Sequence, residues 1–296
     1  MKKVIIITGP TAIGKTKISI EVAKYFNFEI INGDSVAVYK RLDIGSAKPT
    51  PEEQGGIKHY LIDIKDVNEG YSVYDFQHDA RKIINESNDI KIICGGTGLY
   101  LSSVIYNYEF KAKKRDEDEA LKYENYSNME LYNLLLEKDP NIDKEKIHPN
   151  NRKRVLRAIE VIDDTNKSIQ SYNKKNEKLY DYYIVYLNMD RNILYERINK
   201  RVDLMFEEGL LDEVKMLYDE KVYPHAIGYS ELKDYFDSKI TLDEAKEEIK
   251  KNTRHLAKRQ LTWFNHQLDT HFYNVDLDNI ESTINNIIAD LKEWLK

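Results

Sequence analysis

The sequence has little of what many protein classes depend on: one cysteine, two tryptophans and six prolines in 296 residues. A single cysteine, Cys94, cannot form an internal disulfide, and it excludes a cysteine-based zinc site. Because Cys94 follows an apolar run, we expect a small buried thiol in a reducing cytoplasm. No apolar run approaches the roughly 18 residues of a membrane span, and the one after Lys3 is too short for a signal peptide.

An excess of positive charge is also missing. The 45 Lys and Arg residues are outnumbered by 51 Asp and Glu residues, which gives a net charge of −6. Nucleic-acid-binding domains are usually basic, so the overall balance argues against such a partner. With 41% hydrophobic and 32% charged residues, the composition is typical of a globular protein, and the length indicates about two domains or one large one. We take a monomer as the expected state.

Strand and helix patterns alternate in the first third of the chain. Runs rich in β-branched residues predict strands at 4–7, 28–31, 60–64 and 90–94. Apolar residues at helical spacing predict helices at 15–26 and 74–85. This alternation indicates an α/β fold with a parallel sheet flanked by helices. Right-handed crossovers would bring the carboxyl ends of the strands to one edge, where ligands bind.

The character of the sequence changes at residue 111, where charged residues become dense. Helical patterns follow at 129–137 and 151–162. We predict a helical insertion over residues 111–147, with 178 as its furthest C-terminal limit. The core then comprises residues 1–110 and 148–296, with later strands at 182–189 and 271–275.

One motif follows the first predicted strand and precedes the first predicted helix. It reads Gly9-Pro10-Thr11-Ala12-Ile13-Gly14-Lys15-Thr16 and matches the phosphate-binding pattern G-x-x-x-x-G-K-[ST]. Its backbone N–H groups and the helix N-terminus would face one anion. Lys15 would contact the terminal phosphate oxygens, and the Thr16 hydroxyl would bind Mg²⁺. The loop predicts a P-loop NTPase-like fold and a di- or triphosphate ligand, with ATP among the candidates.

Two further strand ends should face this loop. Asp34 follows the second strand and is interpreted as a Mg²⁺ partner, as a general base, or as a capping residue of its turn. The turn Gly95-Gly96-Thr97-Gly98 follows the strand at 90–94. It is either an anion-binding nest with a hydroxyl donor or a plain turn in which Thr97 caps a helix.

Cations gather locally despite the acidic total. They form two clusters on predicted helices. The first contains Arg152, Lys153, Arg154 and Arg157, and the second contains Lys250, Lys251, Arg254, Lys258 and Arg259, followed by Trp263. Exposed cations beside an aromatic residue suit a phosphate backbone and stacked bases. The alternative is a solvated helix face balanced by neighbouring acids.

Together, in this order, these motifs resemble the tRNA dimethylallyltransferase family, also called tRNA isopentenyltransferase, over nearly the whole chain. The stretches that carry the resemblance are Gly9–Thr16, Asp34–Tyr39, Asp43–Pro49, His59–Asp63, Gly95–Tyr100, Lys153–Glu160, Arg201–Met205, Gly209-Leu210, Ala226–Tyr229 and Thr253–Phe264. The phosphate-binding loop alone is shared by many enzymes, whereas the ordered combination is specific.

The resemblance implies a nucleotide-kinase-like core and a reaction that requires Mg²⁺. A dimethylallyl group would pass from dimethylallyl diphosphate to the N6 amine of the adenosine on the 3′ side of the tRNA anticodon, releasing diphosphate. With an adenine amine as the acceptor, the Asp34 carboxylate can accept its proton as the C–N bond forms. The family resemblance gives Thr97 the role of donor to the departing oxygen and Arg201 that of an added cation. It implies contacts with the tRNA anticodon stem-loop at Asp34, Ser35, Val36, Ala37, Thr97, Lys153, Arg154, Arg157, Arg254, Lys258, Arg259, Gln260 and Trp263. Many members have Gln where this chain has Ala37.

Two other functions share part of this pattern. A small-molecule or nucleotide kinase would have the same loop, but it predicts phosphoryl-transfer arginines in the insertion. The cations here lie instead on helices suited to a long polyanion. A non-catalytic RNA-binding module would not need the intact Gly14-Lys15-Thr16 together with Asp34.

Overall fold

The computed structural model describes residues 1–108, 110 and 122–296, without the side chains of residues 172–176 and 265–267. The chain folds into two compact units, one of Met1–Ile105 with Tyr180–Lys296 and one of Tyr106–Leu179. Part of the predicted insertion, residues 111–121, lies outside the described residues. The helix predicted at 151–162 belongs to the smaller unit, whose limit at Leu179 is close to the furthest limit of 178.

The strands are β1 (Lys3–Thr8), β2 (Glu29–Asn32), β3 (His59–Tyr60), β4 (Lys91–Cys94), β5 (Tyr106–Tyr108), β6 (Asn173–Lys178), β7 (Asp181–Asn188) and β8 (His271–Asn274). The helices are α1 (Lys15–Phe26), α2 (Val73–Glu86), α3 (Gly98–Ile105), α4 (Asn128–Lys138), α5 (Arg152–Thr165), α6 (Arg191–Glu207), α7 (Leu210–Asp219), α8 (Tyr229–Phe236), α9 (Leu242–Gln267) and α10 (Ile280–Leu295).

The larger unit is built on a six-stranded sheet in the order β3-β2-β4-β1-β7-β8. Every neighbouring pair is parallel, which confirms the predicted α/β class. Central strand β1 has fully buried residues from Val4 to Ile7, as its unbroken β-branched run predicts for a strand covered on both faces. The sheet thus brings the carboxyl ends of its strands to one edge.

The strand predicted at 60–64 is shorter than expected. β3 ends at Tyr60 because Leu61 and Asp63 have φ angles of 62° and 55°, which an extended strand cannot contain. The Nδ2 of Asn32 donates to the carbonyl of Leu61 at 2.9 Å and ties this bend to the end of β2. The bend therefore belongs to the edge of the sheet where ligands bind.

Helices cover the sheet and extend it. Ile18 and Val22 of α1 pack with Ile287 and Leu291 of α10 in one apolar core with the sheet. A second apolar cluster joins α6, α7, α8 and α9 and includes the buried Tyr229. Among the helices of the described residues, none has both the length and the apolar character needed to cross a membrane.

The smaller unit has its own core. Helices α4 and α5 pack through residues such as Leu131, Leu135, Val155 and Ile159, all of which are fully buried. Strands β5 and β6 pair antiparallel. Helix α5 begins at Arg152 because the side chain of Asn151 accepts a hydrogen bond from the N–H of Arg154.

Candidate active site

The phosphate-binding loop connects β1 to α1 at the carboxyl edge of the sheet. Gly9 has a φ of 152°, and a Cβ there would lie 2.7 Å from the carbonyl of Leu187. Gly14, at the N-cap of α1, has a φ of 107°. The Nζ of Lys15 donates to the carbonyls of Gly9 and Pro10 at 3.0 and 2.9 Å, so the lysine curls over the loop. The loop therefore turns at its two glycines, with the Lys15 side chain held against its backbone.

A cavity of about 690 Å³ opens beside the loop. The loop contributes Thr11, Ala12, Gly14, Lys15 and Thr16 to its wall, and Asp34, Ala37 and Cys94 come from beyond or at the ends of neighbouring strands. Among the described residues, its lining cations outnumber its acids and are Lys15, Lys17, Lys24, Lys48, Arg197, Lys200 and Arg201. The lining acids are Glu21, Asp34 and Glu53. Such a cavity favours a compact ligand with several negative charges.

The cations nearest the loop are poorly hydrated. Loss of hydration lowers the pKa of Lys15 to about 8, although the neighbouring Asp34 partly opposes this change. The same cause lowers the pKa of Arg201, and Asp34 again opposes it. A bound anion would stabilise both charges in place of the missing water.

This pKa predicts how anion binding depends on pH. Lys15 is cationic below about pH 8 and neutral above it, so affinity for a diphosphate should fall as pH rises through this value. We expect the dissociation constant of Mg²⁺-diphosphate to rise about tenfold per unit above that pH, as follows for one required proton. Calorimetric titration between pH 7 and 10 measures it. Lys15→Met controls for titration of the ligand, and parallel curves for both proteins would contradict the prediction.

Asp34 is both a turn residue and a cavity residue. Its Oδ1 accepts from the N–H of Val36 at 2.8 Å and from that of Ala37 at 3.4 Å, as the capping interpretation predicts. The Oδ1 of Asn32 also stabilises the turn by accepting from the N–H of Asp34 at 3.1 Å. No described residue donates a hydrogen bond to Oδ2. The capping bonds therefore fix the carboxylate and leave one oxygen available to a ligand.

The turn that follows β4 is shaped by close packing. A Cβ on Gly95 would lie 2.2 Å from the carbonyl carbon of Gly33, and one on Gly98 would lie 2.3 Å from the Trp263 ring. Thr97 is half-buried, and its carbonyl accepts from the N–H of Leu101 at the start of α3. Thr97 does not line the cavity, whereas Gly95 does. Close packing alone therefore explains why glycine occupies positions 95 and 98, without an anion-binding nest.

Cys94 differs from the sequence-based expectation. It is half-buried and lines the cavity rather than being sealed in the core, because it is the last residue of β4 and reaches the carboxyl edge. Burial raises the pKa of its thiol, so the group stays protonated near neutral pH.

The remaining predicted contact residues fall into three environments. Ser35 and Val36 are half-buried, and Ala37 is 3% exposed at the cavity wall. On α5 of the smaller unit, Lys153 and Arg154 are exposed, while Arg157 pairs with Glu160 at 3.3 Å. The third set lies on α9.

The cations of α9 differ in whether they form ion pairs. Lys251 pairs with Glu248 at 2.9 Å, as the solvated-face interpretation predicts. Arg254 donates to the Oδ1 of Asn199 at 2.6 Å. Lys258 and Arg259 are exposed and form no ion pair with a described residue. These two are the cations of α9 most available to an external polyanion.

Sequence reasoning missed two residues that support the site, and Arg197 is the first. Arg197 lies one helical turn before Arg201 on α6, and its Nε donates to the loop carbonyl of Ala12 at 3.0 Å. The spacing of Arg197, Lys200 and Arg201 on one helix face was the available signal.

Glu213 is the other missed residue. It is buried and accepts from the N–H groups of Asp43, Ile44 and Gly45 and from the Tyr229 hydroxyl. This carboxylate fixes the start of the segment whose residues 46–49 line the cavity. Glu213 follows the stretch Gly209-Leu210 closely and Tyr229 ends the stretch Ala226–Tyr229, but no local pattern links the two residues.

The cavity also suits Mg²⁺ that is held mainly by the oxygens of a bound phosphate compound. Thr16 and Asp34 both line it, and no cluster of three or more His, Cys, Asp or Glu side chains in the described part of the chain could form a protein-only metal site. Mg²⁺ commonly binds through one or two protein groups together with phosphate oxygens and water. The residues present fit that mode.

Comparison with known proteins places the chain in a family. The sequence model described as IPP transferase matches residues 37–267. A tRNA dimethylallyltransferase of Enterococcus faecalis is 44% identical over 100% of this chain and 98% of its own length. One of Anoxybacillus flavithermus is 46% identical over 97% of this chain and 95% of its own.

Solved structures agree with the sequence comparison. A tRNA delta(2)-isopentenylpyrophosphate transferase of Staphylococcus epidermidis matches with a TM-score of 0.74 and 40% identity, covering 99% of both chains. A eukaryotic dimethylallyltransferase, described as acting on tRNA, matches with a TM-score of 0.86 and 30% identity over 100% of this chain and 80% of its own. The chain therefore belongs to the IPP transferase family.

Proposed function

We propose that this chain transfers a dimethylallyl group from dimethylallyl diphosphate to the N6 amine of the adenosine 3′-adjacent to the tRNA anticodon. Diphosphate is the second product. The observation that carries the proposal is that Asp34, with a free Oδ2, lines the same cationic cavity as Lys15 and Arg201. The relatives named as tRNA dimethylallyltransferases support the choice of donor and acceptor.

The departing diphosphate is the group that the loop stabilises. The allylic carbon of the donor tolerates positive charge, so the barrier depends mainly on the negative charge that develops on the leaving oxygen. Lys15 and Arg201 line the cavity, and together with the loop N–H groups they would stabilise this charge. The family resemblance adds a hydrogen bond from the Thr97 hydroxyl to the departing oxygen.

Asp34 acts on the other partner. The adenine amine is a weak nucleophile because its lone pair is delocalised into the ring. As the new N6–C bond forms and the C–O bond to diphosphate breaks, Oδ2 of Asp34 accepts one amine proton. The capping bonds to Oδ1 hold the carboxylate still during this transfer.

Mg²⁺ would be held by the Thr16 hydroxyl together with diphosphate oxygens. When bound, it neutralises part of the charge on those oxygens. Lys15 and Arg201 provide the remaining positive charge from the protein side. We place the reaction in the cytoplasm, where tRNA is found, with a monomer as the working unit and no membrane partner.

The anticodon stem-loop would bind through exposed cations. Lys258 and Arg259 of α9 and Lys153 and Arg154 of α5 suit its phosphates. The acceptor adenosine must leave its stack to reach the cavity. With a net charge of −6, the rest of the surface repels other RNA, which restricts binding to these positions.

The unpaired cations of α9 predict the salt dependence of tRNA binding. Lys258→Ala should weaken binding and reduce the slope of log affinity against log salt by about 1, since one phosphate contact is lost. Lys251→Ala is the matched control on the same helix, because Lys251 already pairs with Glu248 and should leave the slope unchanged. Filter binding across a salt series gives both slopes, and equal slopes would contradict the assignment.

The experiment that tests the proposal compares two donors. Unmodified tRNA and Mg²⁺ are incubated with dimethylallyl diphosphate labelled in its prenyl group, and the digested nucleosides are analysed by mass. We expect labelled prenyl-adenosine. Transfer of label from γ-labelled ATP to a small acceptor, with no prenyl-adenosine, would identify a kinase instead.

A further inference from the structure

Gln260 of α9 bridges two segments of the candidate active site. The N–H of Thr11, in the phosphate-binding loop, donates to its Oε1 at 2.9 Å. Its Nε2 donates to the carbonyl of Gly96 at 3.1 Å. The loop follows β1 and the Gly96 turn follows β4, which are paired neighbours in the sheet. One side-chain amide thus joins the two strand ends that frame the cavity.

The surroundings hold this amide in place. A Cβ on Gly96 would lie 2.3 Å from the Gln260 Nε2, so glycine is what allows the approach. Trp263 lies three residues further along the same helix, and a Cβ on Gly98 would lie 2.3 Å from its ring. Ala257 and Phe264 of α9 are fully buried and anchor the helix on the larger unit. The helix therefore presents Gln260 to the loop in one fixed position.

An amide is the group that this position requires. It accepts one hydrogen bond from an N–H and donates one to a carbonyl, which no carboxylate or apolar side chain does together. A glutamate would turn an oxygen toward the Gly96 carbonyl and bring a negative charge toward a bound diphosphate. An isosteric methionine would keep the volume and lose both hydrogen bonds.

We propose that Gln260 is a positioning residue for the phosphate-binding loop, and that it serves the donor site rather than contacting tRNA. This assignment differs from the tRNA contact that the family resemblance gives to Gln260. It rests on the proposed function, since it assumes that the loop binds the diphosphate of the donor. Two residues of α9 would then serve different ligands: Gln260 would support diphosphate binding, and Lys258 would support tRNA binding.

The test measures two affinities for each of four proteins: wild type, Gln260→Met, Gln260→Glu and Lys258→Ala. Mg²⁺-diphosphate binding is measured by calorimetry and tRNA binding by filter retention. We expect Gln260→Met to bind diphosphate about tenfold more weakly, from the loss of two hydrogen bonds, with tRNA affinity within about twofold of wild type. Gln260→Glu should bind diphosphate more weakly still. Lys258→Ala should show the opposite pattern.

The outcomes distinguish this inference from the proposed function. If wild type binds diphosphate and both Gln260 variants bind it equally well, the positioning role is wrong. Weaker tRNA binding with unchanged diphosphate binding would make Gln260 an RNA contact and also overturn the inference. If wild type itself does not bind diphosphate, the proposed donor site is wrong, and the inference fails with it. Gln260→Glu, which keeps size and polarity, provides a folded variant should Gln260→Met lose its structure.

Discussion

Asp34→Asn is expected to slow the chemical step of prenyl transfer by about 10²- to 10⁴-fold, the usual range for loss of a general base. Asparagine can still accept from the N–H of Val36, so the turn should keep its shape. What disappears is the basic oxygen that accepts the amine proton. Single-turnover prenylation of tRNA bound in advance measures the chemical step, and the affinity for tRNA should stay nearly unchanged.

The matched control is Asp66→Asn. Asp66 is an exposed carboxylate whose described ion pair, with Lys40 at 3.3 Å, is also on the surface. Its loss should leave the single-turnover rate close to that of wild type. An Asp34→Asn protein that reacts as fast as this control would show that Asp34 is only a turn residue.

Lys15→Met is expected to lower kcat/KM for dimethylallyl diphosphate by about 10²- to 10³-fold, as does removal of one donor from a site of developing negative charge. Lys15 curls over the loop through the carbonyls of Gly9 and Pro10, and it lines the cavity. A methionine keeps most of the length of the side chain and removes its charge. Steady-state kinetics at saturating tRNA measure the effect, and inhibition by diphosphate should weaken in parallel.

Lys17→Met tests whether the effect depends on position. Lys17 lines the same cavity but is an exposed residue, so water and salt screen its charge. We expect a loss of about tenfold or less at physiological salt. Equal losses for the two lysines would mean that the cavity acts only through its total charge, contrary to the arrangement described for the loop.

The sequence predicts the fold well where local pattern and environment agree. The buried run of β1 and the helical spacing of α1 specify elements whose bounds match the structure within a residue. The strand predicted at 60–64 extends too far, because the chain bends after Tyr60 through the positive φ angles of Leu61 and Asp63. A hydrogen bond from Asn32, a residue on another strand, accompanies that bend, and no local pattern reveals it.

The candidate site likewise has a part that the sequence predicts and a part that it does not. The loop Gly9–Thr16 is contiguous, so its motif can be recognised directly. Asp34 could be placed beside it because parallel strands share one carboxyl edge. The bond from Thr11 to Gln260 joins residues 249 apart, and the bond from Arg197 to Ala12 joins residues 185 apart. Such bonds arise from packing of helices on the sheet, which a single sequence does not encode locally.

The acidic total gave the least reliable indication. It argued against a nucleic-acid partner because a sum does not distinguish paired from unpaired charges. Lys251 is neutralised by an acid one turn earlier, whereas Lys258 and Arg259 face solvent without a described ion pair. The relevant quantity is therefore the distribution of unpaired cations over the surface.

The central claim, alkylation of one adenosine by an allylic diphosphate, can be tested on a short RNA. An anticodon stem-loop is incubated with the enzyme, Mg²⁺ and prenyl-labelled dimethylallyl diphosphate, beside the same RNA with guanosine at the position 3′ of the anticodon. We predict labelled N6-prenyl-adenosine from the first RNA and no label in the second. Equal labelling of both RNAs, or none of either with a folded enzyme that binds diphosphate, would contradict the account.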